Sequence, residues 1–153
     1  MPIVKTVEGN LLKKFKQNEF SAIAHGCNCF HLMRAGIAGQ ISHEFPQAEL
    51  ADMKTSYGYN LKLGQYSEAD TDHGKIFNLY TQFRPGGENP KVLASSIALA
   101  FQTLDIRHGG RPDFLVGIPL IGCGIAGGDW DHIKNVIDTF TPKLLICVVE
   151  YKP

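Results

Sequence analysis

Apolar positions along the chain fall into two spacings that take turns. Ile3 to Val7 (IVKTV) reads as a short first strand, ended by the turn residues Gly9 and Asn10. Phe20 to His25 (FSAIAH) is mostly apolar and reads as a second, largely buried strand. After a loop from Gly26 to Arg34, the residues Ile37, Ala38, Ile41 and Phe45 recur at helical spacing. Pro46 breaks that helix and opens another through about Thr55. Two further strands are expected at Leu63–Glu68 and Lys75–Tyr80, joined by a turn around Asp72 to Gly74. Asn89 is a helix N-cap with Pro90 at the first helical position. The helix that follows carries Val92, Leu93, Ser96, Leu99, Ala100 and Leu104, and His108-Gly109-Gly110 stops it, with Gly109 as the expected left-handed cap. Phe114 to Ile121 (FLVGIPLI) is apolar almost throughout, as a strand covered on both faces should be. Trp130, Ile133, Ile137 and Phe140 make one stripe of a helix from about Asp129 to Phe140, and Leu144 to Tyr151 is the last strand.

Strands that alternate with helices, the late ones uniformly apolar, imply an α/β fold with helices layered on the sheet. The chain has 153 residues, the size of one domain, and neither an internal repeat nor a linker interrupts it. With 44% hydrophobic and 20% charged residues it is neither disordered nor fibrous. Fifteen basic and fifteen acidic residues leave a formal net charge of zero, which gives no sign of a basic face for nucleic-acid backbones but leaves room for an anion pocket built from amides. The opening MPIVKTVEGNLL has neither the apolar core nor the cleavage site of a secretory signal. No run reaches the roughly 18 apolar residues of a membrane span. Cys27, Cys29, Cys123 and Cys147 form no dense framework and read as reduced thiols of a cytoplasmic protein. The C-x-C pair lacks the spacing and the fourth ligand of a zinc site, so no metal is expected.

Two glycine-rich loops carry the chemistry. His25-Gly26-Cys27-Asn28-Cys29, followed by Arg34-Ala35-Gly36-Ile37-Ala38, leaves a strand and enters a helix. Gly122-Cys123-Gly124-Ile125-Ala126-Gly127-Gly128 does the same later in the chain. Both lie at the carboxyl ends of strands, where open α/β sheets place ligands, and each puts free amides of a helix N-terminus behind glycines. Side by side they can clamp a diphosphate; separately, either one is also a tight turn. The second matches G-x-G-x-x-G at Gly122, Gly124 and Gly127, with Glu150 as a ribose acid, but only one strand remains downstream where a Rossmann half needs more. No P-loop sequence occurs.

These landmarks, in this order over nearly the whole chain, resemble the macro domains, which bind ADP-ribose on an α/β/α sandwich. The residues that carry the resemblance are Gly9-Asn10-Leu11-Leu12, Ala24-His25-Gly26-Cys27-Asn28-Cys29, Ala35-Gly36-Ile37-Ala38, and Pro119 through Gly127. Phe45-Pro46-Gln47-Ala48-Glu49 and Tyr57-Gly58 followed by Asn60-Leu61 are similar to the branch that contains ADP-ribose-1″-phosphate phosphatases. The resemblance implies a single three-layer α/β/α domain over 1–153 with a mixed central sheet. It implies adenine at Asn10 and Leu11, the distal ribose at Asn28, and phosphates at Gly36, Ile37 and Ala38 and at Gly122, Cys123, Gly124, Ile125, Ala126 and Gly127. The ligand implied is ADP-ribose or ADP-ribose-1″-phosphate, with no cofactor and no metal. Hydrolysis of the 1″-phosphate is the activity implied; a non-catalytic binder and a hydrolase acting on ADP-ribosylated macromolecules are the alternatives.

Relatives that remove ADP-ribose from glutamate carry a Lys and an Asp where this chain has Gln82 and Ala126, which argues against that mechanism here. His25 is the candidate catalytic group, with Asn28 beside it to orient and polarise; the same histidine also reads as a strand-end residue bonded to backbone. His31 and Arg34 flank the first loop and are candidates for a terminal phosphate. Asp129 reads as an N-cap, Trp130 as core, and Tyr151 as a possible platform for adenine. His43, His73, His108 and His132 show no partner pattern.

Overall fold

The computed structural model describes residues 3–124 and 126–152. Six strands, β1 (Ile3–Gly9), β2 (Ala22–Cys27), β3 (Tyr66–Thr71), β4 (Gly74–Tyr80), β5 (Leu115–Ile118) and β6 (Leu145–Tyr151), form one sheet in the order β1-β6-β5-β2-β4-β3. Every pairing is parallel except that of β3 with β4, so the sheet is mixed. Five helices cover it: α1 (Leu11–Lys16), α2 (Gly36–Glu44), α3 (Pro46–Met53), α4 (Pro90–His108) and α5 (Trp130–Phe140).

Strand alternation sorts the core into two layers. Ala22 and Ala24 of β2, Phe77 and Leu79 of β4, and Ile146 and Val148 of β6 pack with Leu93, Ile97, Phe101 and Leu104 of α4 and with Ile133 and Ile137 of α5. Ile23, Ile76, Cys147 and Val149 point the other way, toward Leu11, Leu12 and Phe15 of α1, Ile41 of α2 and Ala48 of α3. Helices on both faces of a mixed sheet make the expected three-layer α/β/α sandwich. The edge strand β1 presents Val4, Lys5 and Thr6 to solvent, charges and short side chains that discourage further pairing.

Several boundaries differ from the sequence reading, the larger ones for local reasons. Helix α1 escapes a periodicity search because it has only six residues; its signal is the Asn10 N-cap, whose side chain accepts from Lys13 N at 3.0 Å, ahead of buried Leu11, Leu12 and Phe15. Strand β2 begins two residues later and runs two residues further than expected, through Gly26 and Cys27, because both continue the ladder with Leu79 and Tyr80. Strand β3 starts only at Tyr66, since Asn60–Lys62 closes a 3₁₀ turn before it, and Asp72-His73 is the hairpin turn. Strand β5 stops at Ile118, before Pro119, which has no N–H to continue the ladder. The cap of α4 also lies one residue on: Gly109 is extended at φ −60° and Gly110 is left-handed at φ +82°. On α5 the stripe frays at its end, with Ile133 and Ile137 buried and Phe140 at 37% exposure.

Gly117 shows how tightly the layer under β5 is closed. A Cβ there would stand 2.6 and 2.7 Å from ring atoms of Phe20 and 2.9 Å from Leu11 Cδ1. Overpacking of this kind costs about 1–3 kcal/mol. Gly117→Ala is therefore expected to lower unfolding stability by that amount in urea melts, whereas Gly124→Ala, with open space around its Cβ position, should leave it within about 0.5 kcal/mol.

Candidate functional site

A cleft of about 450 Å³ opens over the carboxyl ends of β2, β4 and β5. Its first wall is the entry to α2. Ala35, the N-cap, is extended and offers no side-chain cap, so the amides of Gly36, Ile37 and Ala38 keep their hydrogen-bonding capacity. All four residues line the cleft. Gly36 takes φ +56°, a left-handed value that suits glycine, with open space where a Cβ would stand. Free amides at a positive helix end attract anions.

The second wall is the loop after β5, contributing Pro119, Leu120, Ile121, Gly122, Gly124 and Ala126. The loop folds on itself: Gly128 N donates to Gly122 O at 2.6 Å and Gly127 N to Gly124 O at 3.0 Å. Cys123 does not line the cleft. Its side chain packs against the α4–α5 layer, its Sγ lies 3.5 Å from Ile121 O, and burial pushes the thiol up. Gly127 is exposed and also outside the lining, and Ile125 lies outside the described residues. Asp129 caps α5 by accepting from Asp131 N at 3.1 Å, and Trp130 packs against the core.

The floor is Gly26, Cys27, Asn28, Thr81 and Gln82. Asn28 Oδ1 accepts from Phe30 N and its Nδ2 donates to Leu32 O, both at 2.9 Å, so this side chain shapes the first loop from inside. Arg34 lines the rim and is the only charged side chain to do so among the described residues. His31 is tied back instead, its Nε2 at 2.8 Å from Thr55 O and its ring edge-on to Tyr57. Asn10 and Leu11 are absent from this lining: Asn10 caps α1 and Leu11 is buried in the core. Tyr151 is exposed at the end of β6.

His25 requires correction as the candidate catalytic group. The two extra residues of β2 leave it inside the sheet, fully buried, facing α3 and outside the cleft lining. Its Nε2 donates to Asn78 Oδ1 at 2.7 Å, an orientation fixed by Asn78 Nδ2, which donates to Ala48 O and to Ser67 Oγ at 3.0 Å each. Burial lowers its pKa to about 4 against the pull of the Asn78 bond, so the ring is neutral near pH 7. Cys27, Sγ 3.6 Å from the same ring, is pushed up by burial and stays a thiol. Sequence reading passed over Thr81, which lines the cleft beside Gln82, Pro85 and Gly86. The parallel pairing of β2 with β4, which brings the end of β4 to the same rim, was the signal that points to it. Among the described residues no group of three or more His, Cys, Asp or Glu side chains is placed to hold a metal ion.

An uncharacterized 17.5 kDa protein encoded in the tk–vs intergenic region of enterobacteria phage T4 is 39% identical over 159 residues, covering 99% of this chain and 98% of that protein. This chain belongs to the same family as the T4 protein. No family model matches the chain. Among solved structures, the macrodomain of Thermus aquaticus DarG superimposes with a TM-score of 0.74 at 22% identity over 97% of both chains. Thermosipho africanus DarTG in complex with ADP-ribose superimposes with a TM-score of 0.69 at 16% identity, over all of this chain and 43% of that one. The T4-family chain thus has the macrodomain fold.

Neutral His25 makes this fold acid-sensitive. Below the unfolded histidine value near 6.5 the unfolded chain takes up a proton that the folded one refuses until about pH 4. Stability attributable to His25 is complete above pH 6.5 and falls by about 3 kcal/mol on the way to pH 4. Urea melts across that range should show the loss, and in His25→Gln the slope should flatten. An unchanged slope in the variant would assign the titration to other groups.

Proposed function

We propose that the cleft binds ADP-ribose, with its diphosphate between the amides of Gly36, Ile37 and Ala38 and the loop that contains Gly122, Gly124 and Ala126. One observation carries this reading: the N-terminus of α2 has no side-chain cap and opens into a cleft whose opposite wall is a second glycine-rich loop. Two backbone surfaces facing each other suit a doubly charged linker, because amides recognise phosphate oxygens without a fixed charge. The macrodomain fold, shared with a protein solved in complex with ADP-ribose, supports the same ligand.

Hydrolysis of ADP-ribose-1″-phosphate is the finer reading, and Arg34 favours it. A guanidinium on the rim, close in sequence to Asn28, is suited to a second phosphate beyond the diphosphate. In this reaction a water oxygen attacks phosphorus, the bond from phosphorus to the 1″ oxygen breaks, and that oxygen leaves as ADP-ribose after taking a proton. His25 has no part in it, because it is sealed from the cleft. The positions that carry Lys and Asp in glutamate-deacylating relatives are Gln82 and Ala126 here, and both line the cleft without an ionisable group. Binding without turnover is the alternative to the phosphatase reading.

Calorimetric titration with ADP-ribose separates ligand from fold. Wild type is expected to bind in the micromolar range and Gly124→Glu to lose at least a hundredfold, with an unchanged melting temperature, since nothing lies within 4 Å of the Cβ position. Absence of binding by the folded wild type would remove the ADP-ribose reading. Phosphate release from ADP-ribose-1″-phosphate should drop at least tenfold in Arg34→Met and remain in His25→Gln; no release by wild type leaves a binder.

A further inference from the structure

One polar group on the cleft floor stands apart from both glycine-rich walls. Thr81 follows the last residue of β4, and its backbone N–H donates to Cys27 O at 3.2 Å, which holds it against the end of β2. The residue is 1% exposed yet lines the cleft, and its hydroxyl bonds to no described residue. Buried hydroxyls are almost always hydrogen-bonded, so an uncommitted one at a cleft floor marks a position for a ligand atom. Gly26 keeps it uncovered. A Cβ on residue 26 would stand 2.7 Å from Thr81 Oγ1, so any larger residue would close over the hydroxyl.

The neighbours of Thr81 are oriented by their own loops. Asn28 uses its oxygen and its nitrogen on its own loop, and Gln82 Nε2 donates to Arg84 O at 2.8 Å. Thr81 differs from both in that its side chain makes no hydrogen bond to a described residue, so its hydroxyl is free to turn as donor or acceptor toward a ligand.

Strand order says which part of a ligand arrives there. The cleft crosses β5, β2 and β4 in turn, and both amide surfaces suited to phosphate follow β5 and β2. The end over β5 is apolar, with Pro119, Leu120 and Ile121, and suits a base. The end over β4 is polar and suits a sugar.

We infer that Thr81 is a specificity-determining residue whose hydroxyl hydrogen-bonds a hydroxyl of the ligand's terminal ribose. This rests on the ADP-ribose reading and deepens it: the site selects ADP-ribose over ADP, which has no terminal ribose. A site built to bond a hydroxyl discriminates against ligands that lack it, because its own polar group is then left unpaired.

The test titrates wild type, Thr81→Val and Thr81→Ser with ADP-ribose and with ADP. Thr81→Val should bind ADP-ribose about tenfold more weakly, the effect of one hydrogen bond, and ADP within twofold of wild type. Thr81→Ser should restore ADP-ribose affinity. Wild type should in addition lose about tenfold toward an analogue lacking the 2″ or the 3″ hydroxyl, a measurement independent of whether any variant folds. Unchanged ADP-ribose affinity in folded Thr81→Val, an equal loss for both ligands, or full affinity of wild type for both deoxy analogues would each overturn the assignment. If wild type binds ADP but not ADP-ribose, the Thr81 assignment falls and the diphosphate clamp stands; if it binds neither, both readings fall.

Discussion

A hydrogen bond sealed inside the sheet, from His25 on β2 to Asn78 on β4, holds the site's framework together. Asn78 is shared by four elements. It accepts from β2, sits in β4, and donates to the hydroxyl of Ser67 on β3 and to the carbonyl of Ala48 on α3. Ser67 passes the network to Tyr80 at 2.8 Å, and Tyr80 donates to the buried carboxylate of Asp52, again on α3. Lys62 lies over the Tyr80 ring at 4.4 Å, its ammonium disfavoured by burial and supported by Asp52. Each member is costly to bury alone, and each is costly to remove once its partners are buried with it. The network therefore fixes the level at which β2 and β4 end, and the cleft floor stands on those two ends.

Above that floor, recognition is left to the main chain. Backbone amides supply positive potential in fixed directions with little reorganisation, and they do so without any cost in net charge. This is how a chain with fifteen basic and fifteen acidic residues presents an anion site. The cleft keeps carboxylates away: none appears among its described lining residues, where one would repel a diphosphate. Arg34 adds one cation at the rim, where solvent screens it and a substituent beyond the linker would reach it.

Most of this fold was legible because the uniformly apolar strands and the capped helices announce themselves locally. Asn89-Pro90 starts α4 and Pro46 starts α3 where their chemistry says. Gly36, Ile37, Ala38, Gly122, Gly124 and Ala126 came together as a cleft because loops after parallel strands share one edge. His25 was misplaced for a reason that no single-strand reading detects. Glycine and cysteine are poor evidence for where a strand stops, and Gly26 and Cys27 are strand residues only because β4 lies alongside with Leu79 and Tyr80 opposite them. Cys123 and Gly127 fell within a glycine motif whose alternate residues turn away from the ligand side. Thr81 carries no motif at all; its place at the cleft floor comes from sheet order, which the sequence does not spell out.

The same displacement of His25 bears on what chemistry the cleft can support. Among its described lining residues the ionisable groups are Arg34, a guanidinium with donors and no acceptor, and Cys27, whose thiol burial holds protonated. Neither is a general base. A hydrolytic step in such a site would draw its acceleration from amides that meet developing charge on phosphorus oxygens, and the attacking water would lose its proton to a substrate phosphate oxygen or to solvent. An enzyme of that design is slow relative to one with a positioned base, because proton transfer by such a side chain contributes about 10²–10⁴-fold. A binding protein needs no such group. The balance between the two therefore turns on whether Arg34 meets a phosphate that leaves, and not on a histidine built to hold the sheet together.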